Sequence, residues 1–192
     1  MYVTDLRHYF DDGKLVPYGP AKKMGLFLGQ CVMAASQRPE GVQSPTVVPC
    51  QRRPNHCPCP GPVVVQRRKD GIIEWACGSC SDQGIIQHWE NTHLDFRNLK
   101  TSGDGEKATL RFAADSFAVL IDSKVTLSLE DEAFLLRATA WGDSVTLTGT
   151  REEFENLLEG VAGEVNHAPN RYWRKKLERI YDEIRAGLGD GT

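Results

Sequence analysis

Residues 50–89 read CQRRPNHCPCPGPVVVQRRKDGIIEWACGSCSDQGIIQHW, and this stretch holds five of the six cysteines of the chain. Three short runs of β-prone residues lie between and after the cysteines, at 62–66, 71–76 and 84–89. Three short antiparallel strands bury little apolar surface, so a unit of this size usually needs a metal ion to hold it together. The stretch therefore predicts a small metal-stabilised sheet around which the rest of the chain is arranged.

The cysteines are spaced as a structural zinc site would be. Taking four of them gives C-x8-C-x17-C-x2-C, in which the middle spacing and the CxxC are typical of zinc. The first spacing is longer than usual, which leaves Cys57 as a reserve ligand and His56 as a weaker one. Four thiolates close the coordination sphere of zinc and leave no position for water, so the site is predicted to be structural and not catalytic. The predicted ligands are Cys50, Cys59, Cys77 and Cys80.

The segment from about Pro49 to Trp89 resembles a zinc ribbon, in which two cysteine-bearing loops lie at the same end of a three-stranded sheet. The CPG at 59–61, the WxC at 75–77 and the DQGIIxxW at 82–89 also resemble those of uncharacterised bacterial zinc-ribbon proteins of unknown function. The resemblance implies a bound Zn²⁺ and no particular activity. The chain departs from the ribbon pattern at the first cysteine pair, because ribbons usually carry a second CxxC there.

Two other kinds of chemistry use the same thiols. Thioredoxin-like enzymes carry a tryptophan beside CxxC, as in the sequence WACGSC at 75–80, and their reactive thiol gains acidity from a helix that begins at the motif. Here a turn-like SDQG at 81–84 and two isoleucines follow, which predicts a strand. An iron site of the rubredoxin type would use the same four cysteines. The alternative function is thus an enzyme, either a CxxC redox protein or one with a site between two parts of the chain.

The remaining sequence predicts an α+β protein in two parts. Apolar residues at three- and four-residue steps predict a helix over 20–37, with Cys31 as a small buried residue on its apolar face. A polar, glycine-rich run at 100–106 is typical of a linker. We therefore expect an N-terminal domain over 1–98, with the helix and a three-stranded zinc-ribbon-like sheet, and a C-terminal α+β domain over 106–192.

The C-terminal domain is predicted to be an antiparallel β-sheet followed by two helices. The sequence Thr150-Arg-Glu-Glu153 is a capping box, so a helix should begin there, and a second should begin near Arg171. Residues 46–48 are expected to form a short extended piece in the N-terminal part. The strands expected in the C-terminal part are 108–112, 116–122, 125–129, 133–140 and 144–148.

Charge and hydropathy limit the possible partners and compartment. The net charge of −3 excludes an overall basic field, so a nucleic-acid role would need a local patch. No apolar run approaches the roughly 20 residues that cross a bilayer, and the start of the chain lacks a signal-peptide pattern, so we expect a cytoplasmic protein with no membrane contact. The favoured function is a non-enzymatic zinc-binding interaction protein with a protein partner. Nucleic acid is the alternative partner, through Arg52, Arg53, Arg67, Arg68 and Lys69.

Overall fold

The computed structural model describes residues 2–11, 14–15, 19–98, 106–122 and 128–189. The chain divides into two compact units, Met1–Leu99 and Lys100–Thr192. Within the described ranges there are five α-helices, a five-stranded mixed sheet, a three-stranded antiparallel sheet and a two-stranded ribbon. The predicted α+β class is confirmed. The predicted linker lies almost wholly outside the described residues.

The first unit is built on a sheet with strand order β1-β7-β6-β5-β4. Neighbours from β4 to β7 are antiparallel, whereas β1 runs parallel to β7. The three predicted strands are its centre, β5–β7. The extended piece expected at 46–48 lies within β4 on one side, and the structure adds β1 on the other. The elements are β1 (Tyr2–Asp5), β2 (Phe10–Asp11), β3 (Lys14–Leu15), α1 (Gly19–Ser36), β4 (Ser44–Pro49), β5 (Pro62–Arg67), β6 (Ile73–Cys77) and β7 (Gln83–Gln87).

One face of this sheet packs against α1. The alternate residues of β5 and β6 that face the helix are buried, and the ring of Phe27 packs edge-on against Trp75 with centroids 5.0 Å apart. Cys31 is 0% exposed on α1, as the helical pattern predicts. Trp89, just after β7, is also fully buried, and its Nε1 donates to the carbonyl of Gly71 at 2.7 Å. The apolar core of the unit thus lies on one side of the sheet, which leaves the other side uncovered by α1.

The second unit has a sheet with order β8-β10-β9, and its helices contact that sheet. Buried and exposed residues alternate along the strands, so one face carries the core. Helix α5 approaches β8 closely, because a Cβ at Gly187 would lie 2.4 Å from Leu110 Cδ2. The elements are β8 (Lys107–Ala113), α2 (Ala114–Asp122), α3 (Leu129–Leu136), β9 (Thr139–Trp141), β10 (Ser144–Thr150), α4 (Arg151–His167) and α5 (Arg171–Gly187).

Two predicted strands of the second unit are wrong. Residues 116–122 belong to helix α2, and residues 133–136 belong to α3, with only 139–141 in a strand. Both segments are short apolar runs, whose periodicity does not separate a buried strand from a buried helix. In α3 the four residues 133–136 are all buried, so no polar face marks the helix. A capping box of Ser128 with Asp131 begins α3, and that local signal was overlooked. The strand predicted at 125–129 lies mostly outside the described residues.

The second capping box is confirmed. The Thr150 side chain accepts a hydrogen bond from the backbone N–H of Glu153 at 3.2 Å, and the Thr150 N–H donates to Glu153 Oε2 at 2.9 Å. Helix α4 begins at the next residue, where the sequence predicts it. Asn170 caps α5 by accepting from the N–H groups of Tyr172 and Trp173. The two C-terminal helices are therefore set by local hydrogen bonds that the sequence displays.

Candidate metal centre

Four cysteines from two loops converge at one end of the five-stranded sheet. Strand β4 ends where the antiparallel β5 begins, and β6 ends where β7 begins, so the β4–β5 and β6–β7 loops meet at the same end. Their Sγ atoms all lie within 4.8 Å of one another. The two close pairs, Cys50–Cys80 at 3.7 Å and Cys59–Cys77 at 3.6 Å, each join one loop to the other. These are the four cysteines that the spacing selects.

The geometry fits a single tetrahedral ion. With metal–sulfur bonds of about 2.3 Å, a tetrahedral four-thiolate site has sulfur–sulfur edges of about 3.8 Å. The two close pairs are within 0.2 Å of that value. The other sulfur–sulfur distances are at most 4.8 Å, so each would need to shorten by about 1 Å or less to fit the ion. Three of the thiols are at most 9% exposed, and Cys80 is partly buried. The donor set suits zinc, and also iron.

Gly61 makes this closeness possible. A Cβ at this position would lie 2.6 Å from Cys77 Sγ and 2.7 Å from Ser79 Oγ, well inside van der Waals contact. Its carbonyl accepts a hydrogen bond from the N–H of Cys50 at 3.3 Å. The CPG motif therefore places a residue without a side chain where the first loop passes beside the sulfurs of the second.

Backbone N–H groups and burial act on the thiols in opposite directions. The N–H of Arg52 donates to Cys50 Sγ at 3.4 Å, and that of Ser79 donates to Cys77 Sγ at 3.3 Å. Burial dominates at Cys50 and raises its pKa to about 12. Burial also raises the pKa of Cys77, but hydrogen bonds from the N–H groups of Ser79 and Cys80 outweigh it and hold that pKa below its usual value. In the metal-free chain, Cys77 therefore loses its proton more readily than Cys50.

The two reserve ligands in the long first loop, His56 and Cys57, lie in an exposed turn. A single 3-10 turn at Pro54–His56 occupies its middle, with Asn55 and His56 at φ of 52° and 64°. The N–H of Cys59 donates to the carbonyl of Arg52 at 2.9 Å and closes the loop. His56 and Cys57 are both exposed, and neither is among the groups that converge. The eight residues between Cys50 and Cys59 thus form a protruding turn in place of the usual tight knuckle.

The second loop is not the start of a helix. The N–H of Cys77 donates to the carbonyl of Asp82 at 2.9 Å, and the chain then enters strand β7. The Asp82 side chain is 9% exposed and lies 3.7 Å from Arg52 Nε, so an ion pair links the two cysteine loops. A thioredoxin-like site requires a helix at this position to lower the pKa of its thiol. The strand found here is what the sequence after CxxC predicts, and it gives no support to the redox alternative.

The basic residues predicted as a phosphate site fall into two separate groups. Two lie in the first cysteine loop and three at the far end of β5, which is about 17 Å away at 3.3 Å per residue. Arg67 lies 3.7 Å from Glu40, and Arg68 makes ion pairs with Asp70 at 2.6 Å and Glu74 at 2.8 Å. Carboxylates therefore neutralise much of the second group.

A third polar group was missed, because its members are far apart in sequence. Asp5, at the end of β1, accepts from Arg7 Nη2 at 2.6 Å and lies 3.0 Å from His88 Nδ1. The hydrogen bond from Arg7 holds the pKa of the Asp5 carboxyl well below its usual range. The group ties β1 to the end of β7. Only the pairing of those strands brings it together, so no local motif could reveal it.

Comparison with known proteins finds no match: no protein-family model, curated protein or solved structure matches the chain. Among the helices of the described residues, none combines the length and apolar character that a membrane span requires.

Proposed function

We propose that the protein is a non-enzymatic interaction protein, in which one structural Zn²⁺ holds the loops at one end of the first sheet. The ligands would be Cys50, Cys59, Cys77 and Cys80. The observation that supports this proposal is the convergence of these four thiols within 4.8 Å, from two loops that the strands bring together. No other set of at least three potential metal ligands among the described residues has this arrangement.

A structural role follows from the donor set. Four thiolates fill a tetrahedral zinc site, so no water could be activated there, and a metal of this kind contributes to folding instead of chemistry. The ion would join the β4–β5 loop to the β6–β7 loop, at the end of the sheet where the protruding turn and the CxxC meet. The sheet face opposite α1 would then keep one fixed conformation that a partner could recognise.

The sheet face opposite α1 supports a protein partner. Its residues surround a shallow depression of about 360 Å³ and combine apolar, amide and carboxylate side chains. Recognition surfaces for proteins have such mixed chemistry, with apolar contacts beside hydrogen-bonding groups. Val3, at the edge of the same face, is 64% exposed. The residues of this face that line the depression include Val64, Gln66, Glu74, Ala76, Gln83 and Ile85.

The metal is tested by elemental analysis of the purified chain and of single Cys→Ser variants. We expect about one zinc per chain, because the four thiols form one site. Cys77→Ser should lose it, and Cys57→Ser is the matched control that should keep it. Iron in place of zinc would correct the identity of the ion. Full zinc retention in Cys77→Ser would overturn the proposed ligand set.

The partner is tested by placing a photo-crosslinking amino acid at one of two positions. One is Ala76, within the depression, and the other is Lys69, in the β5–β6 turn at the end of the sheet away from the cysteines. Both positions are exposed, so neither change should disturb the core. A protein adduct that forms at 76 and not at 69 would support recognition by this face. Identical adducts at both positions, or none at either, would contradict it.

A further inference from the structure

The exposed face of the second sheet has an unusual composition. The side chains of β8, β10 and β9 that point away from the core are polar or basic, apart from Ala113 and one tryptophan, and strand register places them in cross-strand rows. The row nearest the β9–β10 turn contains Ala113, Ser144 and Trp141. The next rows contain Arg111, Thr146 and Thr139; then Thr109 and Thr148; then Lys107.

Trp141 is 81% exposed, more than any other large apolar residue described. The hairpin turn that follows it is made by Gly142, at φ of 57°, and Asp143. Its neighbours across the strands, Ser144 and Ala113, have small side chains, so neither covers the ring. Leaving a tryptophan in water forfeits the burial of a large apolar area, and rings placed in this way commonly serve as contacts for a ligand.

Two hydrogen bonds through Ser144 connect Arg111 to the backbone of Trp141. Arg111 Nη2 donates to Ser144 Oγ at 3.0 Å, and Ser144 Oγ donates to the carbonyl of Trp141 at 3.1 Å. The guanidinium is thereby drawn from its own row toward the row of the tryptophan. An arginine has five N–H donors, so this single bond leaves most of them for a ligand. Thr109 and Thr148 share a hydrogen bond of 2.9 Å further along the face.

The charged side chains on this face of the described strands, Lys107 and Arg111, are both positive. No aspartate or glutamate occupies an outward position in the three described strands. In contrast to Arg67 and Arg68 of the first unit, neither Lys107 nor Arg111 makes an ion pair within the part of the chain that the structure describes. The face is therefore complementary to an anion, although the whole chain is acidic.

We propose that this face binds single-stranded nucleic acid. A base would stack on Trp141, while Arg111 and Lys107, about 13 Å apart along β8, would contact phosphates. Exposed aromatic rings beside cations are the general means of holding single strands, because an unpaired base offers its flat face. A duplex hides those faces within its stacked base pairs, so Trp141 could not stack on them without opening the duplex. The four rows span about 20 Å, enough for a short oligonucleotide.

The test is a titration of labelled oligo-dT, oligo-U and a DNA duplex with the full chain, followed by fluorescence anisotropy at two salt concentrations. We expect the single strands to bind and the duplex to bind more weakly. Trp141→Ala should weaken binding roughly 5- to 150-fold, since stacking of one base contributes that much. Lys107→Ala and Arg111→Ala should each lower the slope of log affinity against log salt by about 0.7.

Two variants serve as controls. Trp141→Phe keeps an aromatic ring and should retain most of the affinity. Tyr172→Ala removes another exposed aromatic residue, 64% exposed on α5, and should leave binding unchanged. Circular dichroism of each variant confirms that the fold is kept, and Trp141 is exposed enough that its loss should not alter it.

Several results would overturn the proposal. These are no binding of either single strand at low salt, equal binding of the duplex, or unchanged affinity in Trp141→Ala. Binding of a neutral glucan oligosaccharide in place of nucleic acid would assign the face to carbohydrate. Self-association that Trp141→Ala abolishes, seen by sedimentation, would assign it to a second copy of the chain. The face contains no cysteine, so none of these results bears on the proposed metal site.

Discussion

The two sheets of this protein are stabilised in different ways. In both, one face is covered by helices and the other is exposed. At one end of the first sheet, two loops bring four cysteines together and an Arg52–Asp82 ion pair also links them, and the long first loop is a protruding turn. The second unit has no cysteine, and its core includes Phe117, Leu147 and Phe154, each at most 1% exposed. From this comparison we propose that one end of the first sheet depends on a metal, while the second unit depends on apolar packing and helix caps.

Removal of the metal should produce the largest difference between the two sheets. After treatment with a strong chelator, we expect amide-exchange protection to fall in β5–β7, whose ends the proposed metal would join, and to persist in α4 and α5. Hydrogen exchange followed by mass spectrometry measures both regions in one sample. Re-addition of zinc should restore the lost protection. If protection were instead lost uniformly through Phe154 and Trp173, the two units would unfold as one.

A core substitution in the second unit should have the opposite effect. Phe154 is fully buried and packs edge-on against Phe134, with ring centroids 5.1 Å apart. Phe154→Ala should lower the free energy of unfolding of that unit by about 3–5 kcal/mol, because it removes packing and leaves a cavity. Denaturant unfolding followed at α4 and α5 measures the loss.

The zinc content of Phe154→Ala is the accompanying measurement. We expect it to equal that of the unaltered protein, since Phe154 lies in the other unit. Loss of zinc from this variant would contradict the separation of the two kinds of stabilisation.

A smaller effect is expected from a substitution at Gly61, beside the cysteines. Gly61→Ala should push Cys77 and Ser79 away from the first loop and destabilise the two loops by about 1–3 kcal/mol, because the new Cβ has no room. Faster transfer of zinc to a colorimetric chelator measures the effect. Gly78→Ala is the matched control, since a Cβ there would come no closer than 3.6 Å to Pro62. Equal transfer rates for the two variants would show that the approach at Gly61 is unimportant.

The smallest effect concerns the edge of the first sheet at low pH. Because the pKa of Asp5 is lowered on folding, its ion pair stabilises the folded state above the ordinary carboxyl pKa of about 3.9, and that contribution is lost only as the pH falls further. Asp5→Asn should therefore be less stable than the unaltered chain at pH 6, and the difference should shrink toward pH 2. Thermal unfolding of the two proteins across this range measures it.

Comparison of the pair isolates Asp5, since any bound metal would be lost from both proteins in acid. A constant difference at every pH would show that the carboxyl contributes through packing and not through charge.

Much of the candidate site was predictable, because its signals are local or regularly spaced. The CxxC at 77–80, the CPG at 59–61 and the β-prone runs between them indicate two loops at one end of a sheet. The Thr150 capping box likewise marks the start of α4. By contrast, the register that pairs Tyr2 with Gly84 joins residues 82 positions apart, and no sequence motif near Tyr2 predicts this pairing. Helices α2 and α3 were missed because short apolar runs suit either secondary structure when tertiary packing buries them.

The sequence by itself determined the chemistry available: which thiols could share a metal, where the C-terminal helices begin, and that the net charge is −3. Only the tertiary structure decided which groups meet. It brought four sulfurs within 4.8 Å, turned Cys57 outward, paired Arg67 and Arg68 with carboxylates, and aligned Arg111 with Trp141 on one face. The physical reason is that a residue type and its near neighbours set local geometry, whereas strand pairing sets distances between segments remote in sequence.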